Sequence, residues 1–300
     1  MSSSASSAAP PLPRPLAIAL ALAALYLIWG STYLAIRFAL EGGFPPFMLG
    51  GIRFLIAGGM MFAVLRLRGT PAPTRAQWAN LAVMGLLLLA FGNGMVNLAE
   101  QTVSSGLAAV AVASAPIWMG VFAMLRGDTP TRSEWIGIAI GFVGVVWLNA
   151  GGTLSASMKG LVALLVASLA WSFGSIWSRG RDLPAPFMAA AGQMLCGGVI
   201  MLGMALITGE RMALPTPKGL AAFAYLVVAG SIVGFSAYIW LLHHVRPALA
   251  SSYAYVNPAI AVVLGAWLAG ERASPAELGA MGVILAGVVV ITLAKAGRKR

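Results

Sequence analysis

The stretch ALASSYAYVNPAIAV, residues 248–262, sits 142 positions after GLAAVAVASAPIWMG, residues 106–120, and how this pair is read decides the fold. Each is an apolar run interrupted by one proline, Pro258 or Pro116. Proline removes a backbone donor and frees a carbonyl about one turn earlier. In hydrocarbon such groups must be satisfied by packed protein or by a wet cavity. A break placed once in each half predicts a paired hinge, Pro116 and Pro258, in a duplicated membrane protein. An inert kink is the competing reading. Asn257 has Ala115 as its counterpart, so the halves are not chemically equal. Asn257 either holds a solute or replaces the backbone bond that Pro258 removes.

The same offset recurs along the chain. Trp29 matches Trp171, Arg37 matches Arg179, Gly50 matches Gly192 and Gly92 matches Gly234. One residue later in register, Gly127 matches Gly270, Asp128 matches Glu271, Glu134 matches Glu277 and Gly144 matches Gly287. Glycine and tryptophan matches are individually weak. The constancy of the offset is what predicts an internal repeat.

Composition sets the class. Of 300 residues, 60% are hydrophobic and 9% charged, with a mean hydropathy of +0.89. Soluble domains carry about 25% charged residues, so a single water-soluble core is excluded. Ten segments reach the roughly 20 apolar residues that a spanning helix needs: 16–40, 46–66, 77–98, 104–125, 133–149, 160–178, 186–207, 218–242, 248–269 and 276–295. The expected fold is an all-α integral membrane protein, with ten transmembrane helices in two inverted five-helix repeats. Those repeats are 16–149 and 160–295, flanked by a Ser/Ala/Pro-rich disordered tail over 1–15 and a basic tail over 296–300. An odd number of spans per half turns the second half upside down. Such repeats build a central site at their interface and two opposite-facing states.

The net charge of +11 is dispersed in short connectors, which speaks against a nucleic-acid partner. Counted near the span ends, thirteen Lys and Arg residues fall on the side of both termini and five on the other, with Arg53 inside the second span. The positive-inside rule then puts both termini in the cytoplasm. The lone Cys196 excludes an internal disulfide framework. His243-His244 lacks the companion ligands of a metal site, and no metal or cofactor is expected.

WGSTYLAIRFALEGGFPPFMLGGIRFLIAGG (29–59), NLAEQTVSSGLAAVAVASAPIWMG (97–120) and SYAYVNPAIAVVLGAWLAGE (252–271), in a two-times-five layout, resemble the drug/metabolite transporter superfamily. Within it they are most similar to the EamA-type ten-helix exporters of bacterial inner membranes. The resemblance implies a secondary exporter of the inner membrane that works by alternating access. Its cargo would be amino acids, including aromatic ones, or else purines or amphipathic drugs.

Polar residues within spans are the candidate site, because lipid-facing placement is costly. Asn93, Asn97 and Glu100 share one helix face by their spacing, and the amides either bind a solute or bond helices together. Trp29 with Tyr33, Trp171 with Ser175, Phe235 with Tyr238, and Tyr253 with Asn257 complete a predicted cavity of aromatic walls and few polar groups. Aromatic belts at the interface are the alternative for Trp and Tyr. Arg37, Arg53 and Glu100, with Glu41, are candidates for a periplasmic gate network. Glu100 is also the best-placed carboxylate for proton coupling, since burial would raise its pKa. Gly137-x-x-x-Gly141 fits close helix packing, inside the chain or in a dimer.

No H-E-x-x-H, G-x-S-x-G or deep carboxylate pair points to catalysis, and no phosphate loop points to ATP-driven transport. A channel-like facilitator is the remaining alternative. The expected partners are a small-molecule substrate and the lipid bilayer, with a monomer sufficient.

Overall fold

A computed structural model describes residues 14–103, 108, 111–149, 157–269 and 275–294. Residues 1–13 of the tail predicted over 1–15, the tail predicted over 296–300, and the Gly270 and Glu271 members of two repeat matches lie outside the described residues, while Arg14 and Pro15 belong to the first helix. The described residues are helical, with short connectors and no β-strand among them. We label the rods α1 (Arg14–Glu41), α2 (Pro46–Leu67), α3 (Arg75–Ala99), α4 (Ala115–Leu125), α5 (Arg132–Asn149), α6 (Met158–Ser178), α7 (Pro186–Ile207), α8 (Pro217–His244), α9 (Tyr253–Ala269) and α10 (Pro275–Leu293). Among the described residues, α1, α2, α3, α6, α7 and α8 are each long and apolar enough to cross a membrane, and α4 and part of α10 are shorter apolar helices. Leu27, Val143, Leu165, Val199 and Leu206 are exposed on the outside, where a water-soluble bundle would carry polar groups.

Local chemistry sets the helix starts. Thr74 and Gln77 bond each other's backbone N–H at the start of α3, a capping box. Thr131 and Glu134 form a second one at α5. Ser157 caps α6, and Thr216 caps α8 ahead of Pro217. Gly69 and Gly209 end α2 and α7 at φ 81° and 68°, a conformation that only glycine adopts without strain.

Packing between the halves is reciprocal. α1 lies against α8 and α9, while α6 lies against α3 and α4. α2 packs on α7, and α5 on α10. At the α5–α10 crossing a Cβ added to Gly144 would meet Ile284 N and Ala280 O, and one added to Gly287 would meet Gly141 N and Gly137 O. The paired atoms differ by 143 residues, the predicted register. At the α2–α7 crossing, Gly58 approaches Ala191 O and Leu195 N, and Gly198 approaches Gly51 O and Leu55 N. Here the offset is 140, which Gly69 and Gly209 also share. The match of Gly50 with Gly192 is therefore out of register by two residues. The connectors flanking α7 absorb the shift, because loops accept insertions that a packed crossing cannot. In both crossings equivalent helices run antiparallel, the arrangement expected of inverted halves. Gly137 and Gly141 serve packing within the chain, against Gly287, Ile291 and Tyr255.

α3 and α8 each widen into a π-helical segment near mid-length, Gly85–Gly94 and Leu226–Val233. These segments are repeat-equivalent. π turns inside α-helices mark functional positions more often than chance.

Two ends of the bundle can be told apart. At one, which we call the Glu41 end, Thr216 N donates to Gly42 O, and Phe47 N and Met48 N donate to the Glu210 carboxylate. At the other, the Arg246 end, lie Gln77, Asp182, Arg126, Arg179 and Arg246.

Candidate functional site

Five aromatic rings meet at the centre of the bundle, where the halves interlock. Trp29, Trp171, Phe235, Tyr238 and Tyr253 lie with ring centroids 4.9–5.9 Å apart, most pairs edge-on or tilted. Edge-to-face contacts suit the ring quadrupoles. Each tryptophan reaches the opposite half through a glycine notch. Trp171 packs on Gly92, where a Cβ would lie 2.8 Å from Trp171 Cε3, and Trp29 packs on Gly234. The predicted pairs Trp29/Trp171 and Gly92/Gly234 are thus two copies of a single contact.

Above this aromatic floor, toward the Glu41 end, is a cavity of about 80 Å³. Trp29, Tyr33, Asn93, Trp171, Phe235, Tyr253 and Asn257 line it, as the sequence pattern predicts. Asn97, Ser175 and Tyr238 do not. Asn97 is fully buried and its Nδ2 donates to Pro46 O at 3.1 Å, bonding α3 to the start of α2. Ser175 and Tyr238 share a 2.6 Å hydrogen bond in the floor below. Thr32, Ile36, Val96, Val112, Ala115, Ala167 and Ser168 line the cavity without having been singled out; small or apolar residues in apolar spans carry no distinguishing signal.

Two lining residues carry buried amide oxygens free of hydrogen bonds among the described residues, Asn93 Oδ1 and Asn257 Oδ1. Asn257 lies against the Tyr33 hydroxyl, and no bond from it to the carbonyl that Pro258 frees is formed. Pro258 is interior to α9, whereas Pro116 occupies the first turn of α4. A proline at a helix start removes no intrahelical bond, so the two prolines stand in different local structures.

Arg37, Arg53 and Glu100 form no ion pair with one another among the described residues, although Arg37 stands near enough to Glu100 to act on it electrostatically. Arg37 bonds Glu41 at 2.8 Å on its own helix, with both side chains more than half exposed. Glu100 follows the last residue of α3, its carboxylate oxygens buried and without hydrogen bonds among the described residues. Arg53 is 1% exposed and turns into the cavity wall, where Nε donates to Ser231 Oγ at 2.7 Å.

Three arginine contacts sit at the opposite end, on residues that stood out in the sequence only by their charge or by the repeat. Arg126 Nη1 donates to Ile176 O and Trp177 O at 2.7 and 3.1 Å, gripping the end of α6. Arg179 Nη1 donates to Leu242 O and Val245 O at 2.5 and 2.9 Å, gripping the end of α8. Arg246 Nε donates to Glu134 Oε1 at 2.5 Å at the start of α5, and Nη2 to Thr129 O at 3.2 Å. Cations at helix C-termini meet unpaired carbonyls and the negative end of the macrodipole. Burial disfavours the Arg179 cation and lowers its pKa, an effect that nearby Asp128 opposes. The readable signal was the T-R-S-E capping box at 131–134, which buries Glu134 and so asks for a cation.

Comparison with known proteins fixes the class. The sequence pattern of the EamA-like transporter family matches residues 16–150 and again residues 158–293. The chain belongs to the EamA-like transporter family. It is 48% identical over 276 residues to the uncharacterized inner membrane transporter YedA of Escherichia coli (strain K12), covering 91% of this chain and 90% of YedA. The uncharacterized transporter YdfC of Bacillus subtilis (strain 168) is 26% identical over 90% of this chain and 89% of its own. Protein PecM of Dickeya dadantii (strain 3937) is 23% identical over 88% of both chains. A crystal structure with 21% identity superposes with a TM-score of 0.78 over 94% of this chain and 99% of its own, a likeness of fold. As an EamA-like chain with repeated apolar spans, this is a multi-pass membrane transporter.

Proposed function

We propose that this chain is a secondary transporter that exports small metabolites, foremost amino acids including aromatic ones, across the inner membrane. Ten crossings, both termini cytoplasmic and alternating access complete the reading. The observation that carries it is the cavity at the interlocked repeats, where aromatic walls meet the free amide oxygens of Asn93 and Asn257. An ammonium group is a donor that such oxygens accept, and the ring faces attract it further, by about 0.5–2 kcal/mol. The aromatic floor suits an apolar side chain.

By the positive-inside count the Arg246 end is cytoplasmic. The three arginine clamps then latch the cytoplasmic side, and the cavity is reached from the periplasm. Export requires the clamps on Ile176, Leu242 and Glu134 to open while the Glu41 end closes. Glu100 is the carboxylate placed to couple that change to protons.

The test is counterflow in proteoliposomes across amino acids, purines and cationic drugs. Accelerated exchange of amino acids is expected. Purine or drug exchange without amino-acid exchange would overturn the choice of cargo, and flux without counterflow would indicate a channel-like facilitator.

A further inference from the structure

The cavity wall holds a cation, Arg53, that forms no ion pair among the described residues; its guanidinium lies 4.8 Å from the Phe54 ring centroid, a contact that leaves its charge without a counter-anion. Arg53 Nη1 is buried with no hydrogen-bond partner among the described residues, and the one bond that its Nε makes is to a neutral hydroxyl. A guanidinium stays protonated in proteins, and an unpaired charge within a span is expensive to keep. Its position is also built. Ser231 Oγ donates to Leu226 O, five residues back along the π-helical segment of α8, so its lone pair is left for Arg53. One residue earlier, Gly230 O accepts Trp29 Nε1 at 3.1 Å. One π turn therefore fixes both the cation and the leading ring of the aromatic floor, side by side at the cavity.

From this geometry we infer that the cargo carries a carboxylate, and that Arg53 receives it. This rests on the amino-acid reading above and narrows it. The free Nη1 edge offers donors in the fork geometry that carboxylates match. A single cation suits a single negative charge. Among the described residues no lysine or second arginine lines the space, so a phosphate group with nearly two charges would be left under-neutralised. Arg53 would then set specificity, accepting amino acids and refusing their amides and the corresponding amines, as well as cationic drugs.

The experiment compares phenylalanine, phenylalaninamide, phenethylamine and 3-phenylpropionate in counterflow, with wild type and Arg53→Gln. In wild type, the two carboxylates should exchange about 10–100-fold better than the amide and the amine, the factor expected of a charge-assisted hydrogen bond. Arg53→Gln should erase that preference, bringing exchange of the two carboxylates down to the level of the amide. Equal handling of acid and amide by wild type would overturn the inference and leave the amino-acid reading standing. Exchange of 3-phenylpropionate without phenylalanine would retain the role of Arg53 and overturn amino acids as cargo. Should Arg53→Gln fail to accumulate in membranes, the tryptophan fluorescence of the wild-type protein, titrated with acid and with amide, decides the same question. Tighter binding of the acid supports the inference and equal binding refutes it.

Discussion

The two ends of the bundle use their charges in opposite ways. At the Arg246 end three arginines each reach across to another helix, Arg126 and Arg179 to backbone carbonyls and Arg246 to the carboxylate of Glu134, which is only 2% exposed. At the Glu41 end Arg37 bonds its own helix in solvent, and Glu100 bonds nothing among the described residues. The same residue types thus build a latch on one side and stand apart on the other. In α5 and α8–α9 the capping box and the connector bring opposite charges into one dry corner. In α1 the i, i+4 spacing gives Arg37 a local partner, so that it acts on Glu100 at the end of α3 through space alone, with no ion pair between them among the described residues.

The contrast gives a graded set of expectations. Glu134→Ala removes a helix cap and strands Arg246, and should cost about 3 kcal/mol, the low end for breaking a buried pair because Arg246 keeps some contact with water. Lower yield and a lower melting temperature in detergent would register it, while Arg246→Ala should be milder. Arg126→Gln and Arg179→Gln each lose two charge-assisted bonds and should cost about 1.5–3 kcal/mol, with transport altered even where protein accumulates. Asn97→Ala should cost about 1 kcal/mol of stability with cargo affinity unchanged, whereas Asn93→Ala should weaken cargo affinity with stability unchanged. Arg37→Gln, at an exposed pair worth about 0–1 kcal/mol, should be silent in both assays. A large loss of stability there would end the contrast between the two ends.

A comparable difference separates the prolines. Pro258→Ala is expected to slow transport more than it lowers folded protein in membranes, and Pro116→Ala to do little. Equal losses of transport and protein for Pro258→Ala would make it an inert kink.

How much of this was legible depends on what each signal could carry. Apolar runs and connectors marked the rods. The recurrence of Trp29 and Gly92 at a fixed offset marked the repeat, but not that each tryptophan packs on the glycine of the other half. Seven of the ten predicted cavity residues face the space, because aromatic and amide side chains in apolar spans have few other uses. The π-helical segments were invisible, since a helix that is apolar all round shows no periodicity from which a wider turn could be read. Gly230 and Ser231 were missed with them. The two-residue slip in α7 was hidden because glycine is frequent enough to match at the wrong register. The latch was overlooked because Arg126 and Arg246 were counted for orientation alone and Arg179 for orientation and the repeat; a residue that reports topology can also hold helices together.

Accessibility of single cysteines tests the central claim most directly, in a Cys196→Ser background that removes the only native thiol. Asn93→Cys lies in the cavity, and Ala248→Cys lies beside Asp128, Glu134 and Arg246 in the latch. A membrane-impermeant thiol reagent added from the periplasmic side should label Asn93→Cys, with cargo protecting it. Ala248→Cys should stay unreactive from the cytoplasmic side until Arg246→Ala is added. Free labelling of Ala248→Cys with the latch intact, together with an unreactive Asn93→Cys, would contradict a transporter latched at its arginine end.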